Sequence, residues 1–217
     1  MNLRIYEELL LLALHDTKGT NAFAPLLDPA LGGGLMAELL LEERIELRKE
    51  GLRGLMTVID ASRTGDAVLD LGLEKLSSAR RRASPKSTVM RLAGTKGLKE
   101  AILLGLCRRG ILRAREDELL LMFRRKVYPT VNPGPEQALI ARIRGVLDDN
   151  EAPDVRTAIT IGLAQTSGAL GAVYTRKERR DRKKRIAALS EETLAGSATQ
   201  DAVEAIQTAL LVTTVIT

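Results

Sequence analysis

Twice along this chain a helical pattern gives way to two strand-like segments that turn back on each other. In the first instance apolar spacing predicts a helix from about Leu35 to Glu43, IELR then alternates like a strand, Lys49 to Gly51 supplies a turn, and GLMTVID returns. In the second, LKEAILLGLCRRG reads as a helix closed by Gly110, and ILRAREDELLLMFRRKVYP reads as two strands turning near Glu116 and Asp117. Strands this short and this isolated cannot form an extended sheet. The expected fold is therefore mainly α, a single globular helical domain over residues 1–217 with two short β-hairpins.

Further helices fill the remaining chain. In LRIYEELLLLALHD, positions 5, 9, 12 and 13 share one face, and the helix should stop at the turn around Gly19. Pro29 and the glycines 32–34 read as the opening of the helix that follows them. In RTGDAVLDLGLEKL, Thr64 is the expected N-cap, and Val68, Leu69, Leu73 and Leu76 form the expected buried stripe. Ser84 and Pro85 punctuate the chain. Helical patterns resume over EQALIARIRGVLDD, over Asp154 to about Tyr174, and from Ser190 into the apolar tail, giving about seven or eight helices.

The chemistry available to such a chain is narrow. Aromatic residues make up 2% and Trp is absent, so the core must be built from Leu, Ile, Val and Ala. Cys107 is the only cysteine and sits in an apolar helix, which excludes an intramolecular disulfide framework and reads as a buried thiol. His15 is the only histidine, lies at a helix end, and has no GxSxG elbow to serve. The acidic pairs Glu42–Glu43 and Asp148–Asp149 point different ways on a helix and read as solvated faces, not metal ligands. Glycines 32–34 fit neither a Walker nor a dinucleotide pattern, so no catalytic residue, metal or cofactor is expected. LLLLAL at 9–14 is much shorter than the roughly 18 residues of a membrane span, and no targeting signal is visible. The expectation is a cytoplasmic protein whose membrane contact, if any, is peripheral.

Charge is distributed unevenly. RKERRDRKKR at 176–185 carries eight basic and two acidic residues, so its +6 exceeds the +5 of the whole chain. A helix over those residues would be charged on every face and could not pack into a core. Glu178 should pair with Arg182, four positions on. Arg179, Arg180, Arg182, Lys183, Lys184 and Arg185 are then candidate electrostatic contacts for anionic lipid or nucleic acid, or a merely solvated face. In the second hairpin the apolar run Leu119, Leu120, Leu121, Met122 and Phe123 is followed at once by Arg124, Arg125 and Lys126. That combination suits either a core strand or a strand lying on a membrane surface. Helix followed by hairpin also resembles a winged helix with a basic wing, so nucleic-acid binding is the rival reading.

Five stretches, in order, resemble the Golgi phosphoprotein 3 family, including its bacterial relatives: EELLLLALHDTKG, ALGGGLMAELLLEERIEL, TGDAVLDLGLEKL, KGLKEAILLGLCRRGIL and LIARIRGVL. The resemblance covers nearly the whole chain. It implies one mainly helical domain and a non-enzymatic adaptor that binds phosphatidylinositol 4-phosphate, inserts a β-hairpin into the bilayer, self-associates, and holds glycosyltransferase-like membrane clients. The family's headgroup positions fall here on Ala24, Gly32, Lys96 and Lys99. A Trp is replaced by Ala24 and an Arg by Gly32, while the two lysines keep the charge without the guanidinium fork. Anionic phospholipid is the expected partner, through the headgroup positions, a hairpin at about 115–127 and the 176–185 run. Nucleic acid is the less favoured one.

Overall fold

The computed structural model describes residues 2–14, 24–50, 53–119 and 123–195. Among them are nine α-helices and two two-stranded antiparallel sheets, so the mainly α expectation is met. The helices are α1 (Ile5–Ala13), α2 (Ala24–Leu41), α3 (Ala67–Ser77), α4 (Pro85–Ala93), α5 (Leu98–Arg108), α6 (Gly134–Asp148), α7 (Val155–Ser167), α8 (Arg176–Asp181) and α9 (Lys183–Ala195). The strands are β1 (Ile45–Glu50) and β2 (Arg53–Val58), then β3 (Arg115–Leu119) and β4 (Phe123–Val127).

Helix α2 is the centre of the fold, and the glycines make it so. They lie inside the helix instead of opening it, and so does Pro29. Successive helical residues point about 100° apart. A Cβ on Gly32 would meet the Val89 carbonyl oxygen of α4 at 2.6 Å, one on Gly33 would meet Leu163 of α7 at 3.0 Å, and one on Gly34 would meet Ile5 of α1 at 3.1 Å. The next residue, Leu35, fills the notch left by Gly72 of α3, where a Cβ would be 3.0 Å from its side chain. Four consecutive residues thus face four different helices. Read as a helix opening, the glycines gave a start about eleven residues too late, at Leu35 instead of Ala24, because what they supply is close approach and not a turn.

Helix α1 is buried along its full length, Glu7 and Glu8 included, rather than along one stripe. Its leucines each contribute roughly 1.5–3 kcal/mol by leaving water. Val68, Leu69 and Leu73 are buried and Leu76 packs at the core margin, as the spacing predicts. The N-cap of α3 is Asp66, not Thr64: its carboxylate accepts from the backbone N–H groups of Val68 and Leu69 at 2.8 and 3.2 Å. Thr64 turns back instead, donating from both its N–H and its hydroxyl to Asp70 at 2.8 Å. Ser84 and Pro85 cap and begin α4, a helix the sequence pattern does not announce.

The first hairpin forms from the expected segments, but Lys49 and Glu50 lie within β1, opposite Gly54 and Arg53, so the reversal comes after Glu50 and not over 49–51. The second is shifted. Glu116 and Asp117 lie within β3, opposite Lys126 and Arg125, so the strands reverse after Leu119 and not at the acidic pair. Helix α7 ends at Gly168, whose φ of 82° suits only glycine, and a 3₁₀ turn over Ala169–Ala172 follows. Ser190 lies within α9 and starts no new helix, since α9 continues directly from the basic residues. His15 and the apolar tail beyond residue 195 lie outside the described residues.

Candidate functional site

The second hairpin is seated differently from the first. The β1–β2 pair packs against α2, α3 and α4, whereas among the described residues β3 and β4 make their main contact with each other. Its base is fixed by buried Val127 and Tyr128 and by a bridge from Leu112 to Thr130. From that base Lys126 extends its Nζ to Glu100 Oε1, 3.4 Å away in the first turn of α5.

The start of α5 carries the two lysines singled out from the sequence. Gly97, with φ 79°, reverses the chain at the N-cap, leaving Lys96 exposed before the helix and Lys99 half-buried in its first turn. Leu98 between them is buried and anchors the turn. Through the Lys126–Glu100 pair, hairpin and lysines share one neighbourhood. The two other headgroup positions lie on α2. Gly32 is buried in the α2–α4 crossing and offers no surface, and Ala24 is the first residue of α2, its side chain outside the described set.

For the apolar run, Leu119 ends β3 and Phe123 opens β4 as its cross-strand partner, while 120–122 lie outside the described residues. The run therefore spans the reversal and is not a single strand. Arg124 and Arg125 stand opposite Glu118 and Asp117 in the register.

The 176–185 run is helical but interrupted. Thr175 caps α8 in a capping box with Glu178, and the helix breaks at Arg182 before α9. Arg180, Lys183 and Lys184 are exposed, and Arg179 and Arg185 are half-buried. The run does pack at one point. Arg182 stacks 4.4 Å from the centre of the Tyr174 ring and pairs with Asp148 at 2.5 Å, so Asp148 is no solvated face. Glu178 does not pair with the Arg182 guanidinium; its carboxylate accepts from Thr175, which lowers its pKa, and Arg182 reaches only its carbonyl oxygen.

The sequence reading missed a larger polar construction. Buried Glu7, Glu8 and Glu38 receive Arg109, Arg142 and Arg156 respectively, drawn from the end of α5, from α6 and from α7. Arg4 adds a second guanidinium to Glu38 at 3.0 Å and reaches Glu42 as well. Burial raises the Glu8 pKa despite Arg142 and a 2.7 Å hydrogen bond from the Thr160 hydroxyl. Two clefts of about 300 and 390 Å³ flank the Asn2–Arg4 segment, each lined by three arginines. The available signal was a pair of glutamates inside an otherwise unbroken apolar stretch, a placement that demands buried cationic partners.

Among the described residues no group of three His, Cys, Asp or Glu could hold a metal, and burial pushes the Cys107 thiol pKa up, away from the thiolate. No helix among them is long and apolar enough to cross a membrane. The family model for Golgi phosphoprotein 3 (GPP34) matches residues 5–206. The chain belongs to the Golgi phosphoprotein 3 family. No match among curated proteins accompanies it. Within this Golgi phosphoprotein 3 relative, the TGDAVLD signature is structural: Asp66 caps α3 and accepts the Tyr6 hydroxyl at 2.9 Å, tying α3 to α1.

Proposed function

We propose that this family member is a non-catalytic peripheral membrane adaptor that docks reversibly on anionic phospholipid. The contact is made by Lys96 and Lys99 together with the 115–127 hairpin. The observation that supports this reading best is the Lys126–Glu100 pair, which sets the hairpin, whose main contact among the described residues is between its own two strands, beside the cationic start of α5. An apolar hairpin alone binds a bilayer only marginally, and lysines alone are screened by salt, but two such contributions reinforce each other. The 176–185 run is a further electrostatic contact in this reading, and a membrane-protein client and self-association are the partners it includes by resemblance to the family.

Co-sedimentation with phosphatidylcholine vesicles, with and without phosphatidylserine, tests it. Binding is expected only with the anionic lipid, and Lys96→Glu with Lys99→Glu should reduce it more than tenfold. Equal binding by the double variant would remove these lysines from the contact.

A further inference from the structure

Between Lys75 and Lys99 the chain has eight basic residues and no acidic one. Setting aside this segment and the 176–185 run leaves 33 − 16 = 17 basic and 28 − 2 = 26 acidic groups, a net of −9 on the remaining residues. The positive excess therefore sits in two segments, and the larger runs from the end of α3 through the loop after it and α4 to the first turn of α5.

The structure mounts these cations on a fixed base. The loop is bridged to β2 by the Met56 N–H donating to the Ala83 carbonyl at 2.8 Å, and Arg91 Nη1 donates to the Arg81 carbonyl at 3.1 Å. Helix α4 buries Pro85, Thr88, Val89 and Leu92, leaving Lys86 and Met90 one turn apart on its outer face. Lys75, Arg80, Arg81, Arg82 and Lys86 are exposed, and Met90 is 45% exposed among them. Past the end of α4 the chain carries Lys96 and, in the first turn of α5, Lys99. The cavity beneath it, lined by Thr57, Arg82 and Arg91, is about 50 Å³. That is room for a water molecule or two and not for a phosphorylated sugar ring.

We infer that the face formed by Arg80, Arg81, Arg82, Lys86 and Arg91 is an electrostatic docking surface for an anionic bilayer, which it recognises by charge density and not by headgroup shape. This rests on the membrane reading above and names what the membrane must supply. An array of cations without a headgroup-sized cavity beneath it responds to total surface charge, and an exposed Met one turn from Lys86 and next to Arg91 on α4 suits a bilayer better than a phosphate backbone.

The test uses the full chain and vesicles of matched surface charge containing phosphatidylserine, phosphatidylglycerol or phosphatidylinositol 4-phosphate. The wild type should bind all three within about threefold. The variant R80Q/R81Q/K86Q, with Lys96 and Lys99 intact and an unchanged thermal unfolding curve, should bind on the order of 100-fold more weakly, at roughly fivefold per cation. Binding by the wild type and the variant alike, or to one headgroup only, overturns the inference while the membrane reading stands. Wild type that binds none of the vesicles overturns both. Tighter binding of the wild type to random duplex DNA than to any vesicle at the same salt makes the face a nucleic-acid surface and also overturns it.

Discussion

Arg156 on α7 reaches Glu38 on α2 across 118 residues of sequence and ends on a carboxylate whose side chain is 0% exposed. The same carboxylate accepts from the Ile5 N–H at 2.9 Å and from Arg4 at 3.0 Å, so the central helix is tied to the first and seventh helices through one buried charge. A buried carboxylate needs such partners to be tolerated at all, and they need it in return.

Glu38→Ala strips Ile5 of its acceptor, removes the carboxylate that Arg156 pairs with, and leaves Arg4 to Glu42 and Asp66. The expected cost is about 3–5 kcal/mol, or roughly 10 °C in Tm for a chain of this size. Glu38→Gln, which still offers Ile5 an acceptor, should lose less. Thermal unfolding followed by circular dichroism gives both values, and an unchanged Tm in the alanine variant would show that the network does not hold the helices together.

Glu8 leads to a pH prediction of definite sign. Burial is the largest influence on it and raises its pKa above the ordinary 4.5. The folded chain therefore retains a proton that the unfolded chain has released, and stability is lost as pH climbs from about 4.5 through the raised value. Glu8→Gln cannot ionise. Its unfolding midpoint in urea should gain on that of the wild type across this window and run parallel to it at lower pH. A difference independent of pH would mean that Arg142 and Thr160 fully offset the burial.

Much of this was legible in the sequence where the signal is local. Apolar spacing located α3, α5 and α6, and the two alternating segments located the first hairpin, although its reversal comes after Glu50 and not at the lysine–glutamate pair. The failures are tertiary. Glycines 32–34 carry no mark that separates a turn from a helix crossed closely on three sides, and only the positions of α1, α4 and α7 decide it. Glu116 and Asp117 looked like a turn because acids favour turns, yet opposite them stand Lys126 and Arg125, whose register no single strand reveals. The run at 176–185 was legible as charge, but the stacking of Arg182 on Tyr174 was not.

The crossing at Gly32 predicts opposite outcomes for one substitution at two sites. Gly32→Ala would place a methyl 2.6 Å from the Val89 oxygen and 2.7 Å from the Ala93 nitrogen, both backbone atoms that can yield only if α4 moves. The cost should be about 1–3 kcal/mol. Gly105, in the interior of α5, has only a Glu7 carboxylate oxygen near such a methyl, at 3.9 Å. There the gain in helix propensity should dominate, stabilising the protein by about 0.5–1 kcal/mol. Urea unfolding of the two variants should bracket the wild type, and a neutral Gly32→Ala would refute the tight α2–α4 contact.

Asp148 and Tyr174 hold the basic segment where α8 gives way to α9. The contact between Arg182 and the Tyr174 ring is worth about 0.5–1 kcal/mol, and a partly exposed ion pair adds about as much or less. Losing one of them should loosen this segment without unfolding the domain. Asp148→Asn keeps every basic residue in place while removing the charge Arg182 pairs with, so tryptic cleavage within 176–185 should accelerate by a few fold at unchanged Tm. An unchanged cleavage rate would show that packing of Ile186 and Leu189 against the core, and not the Asp148 pair, sets the position of the run.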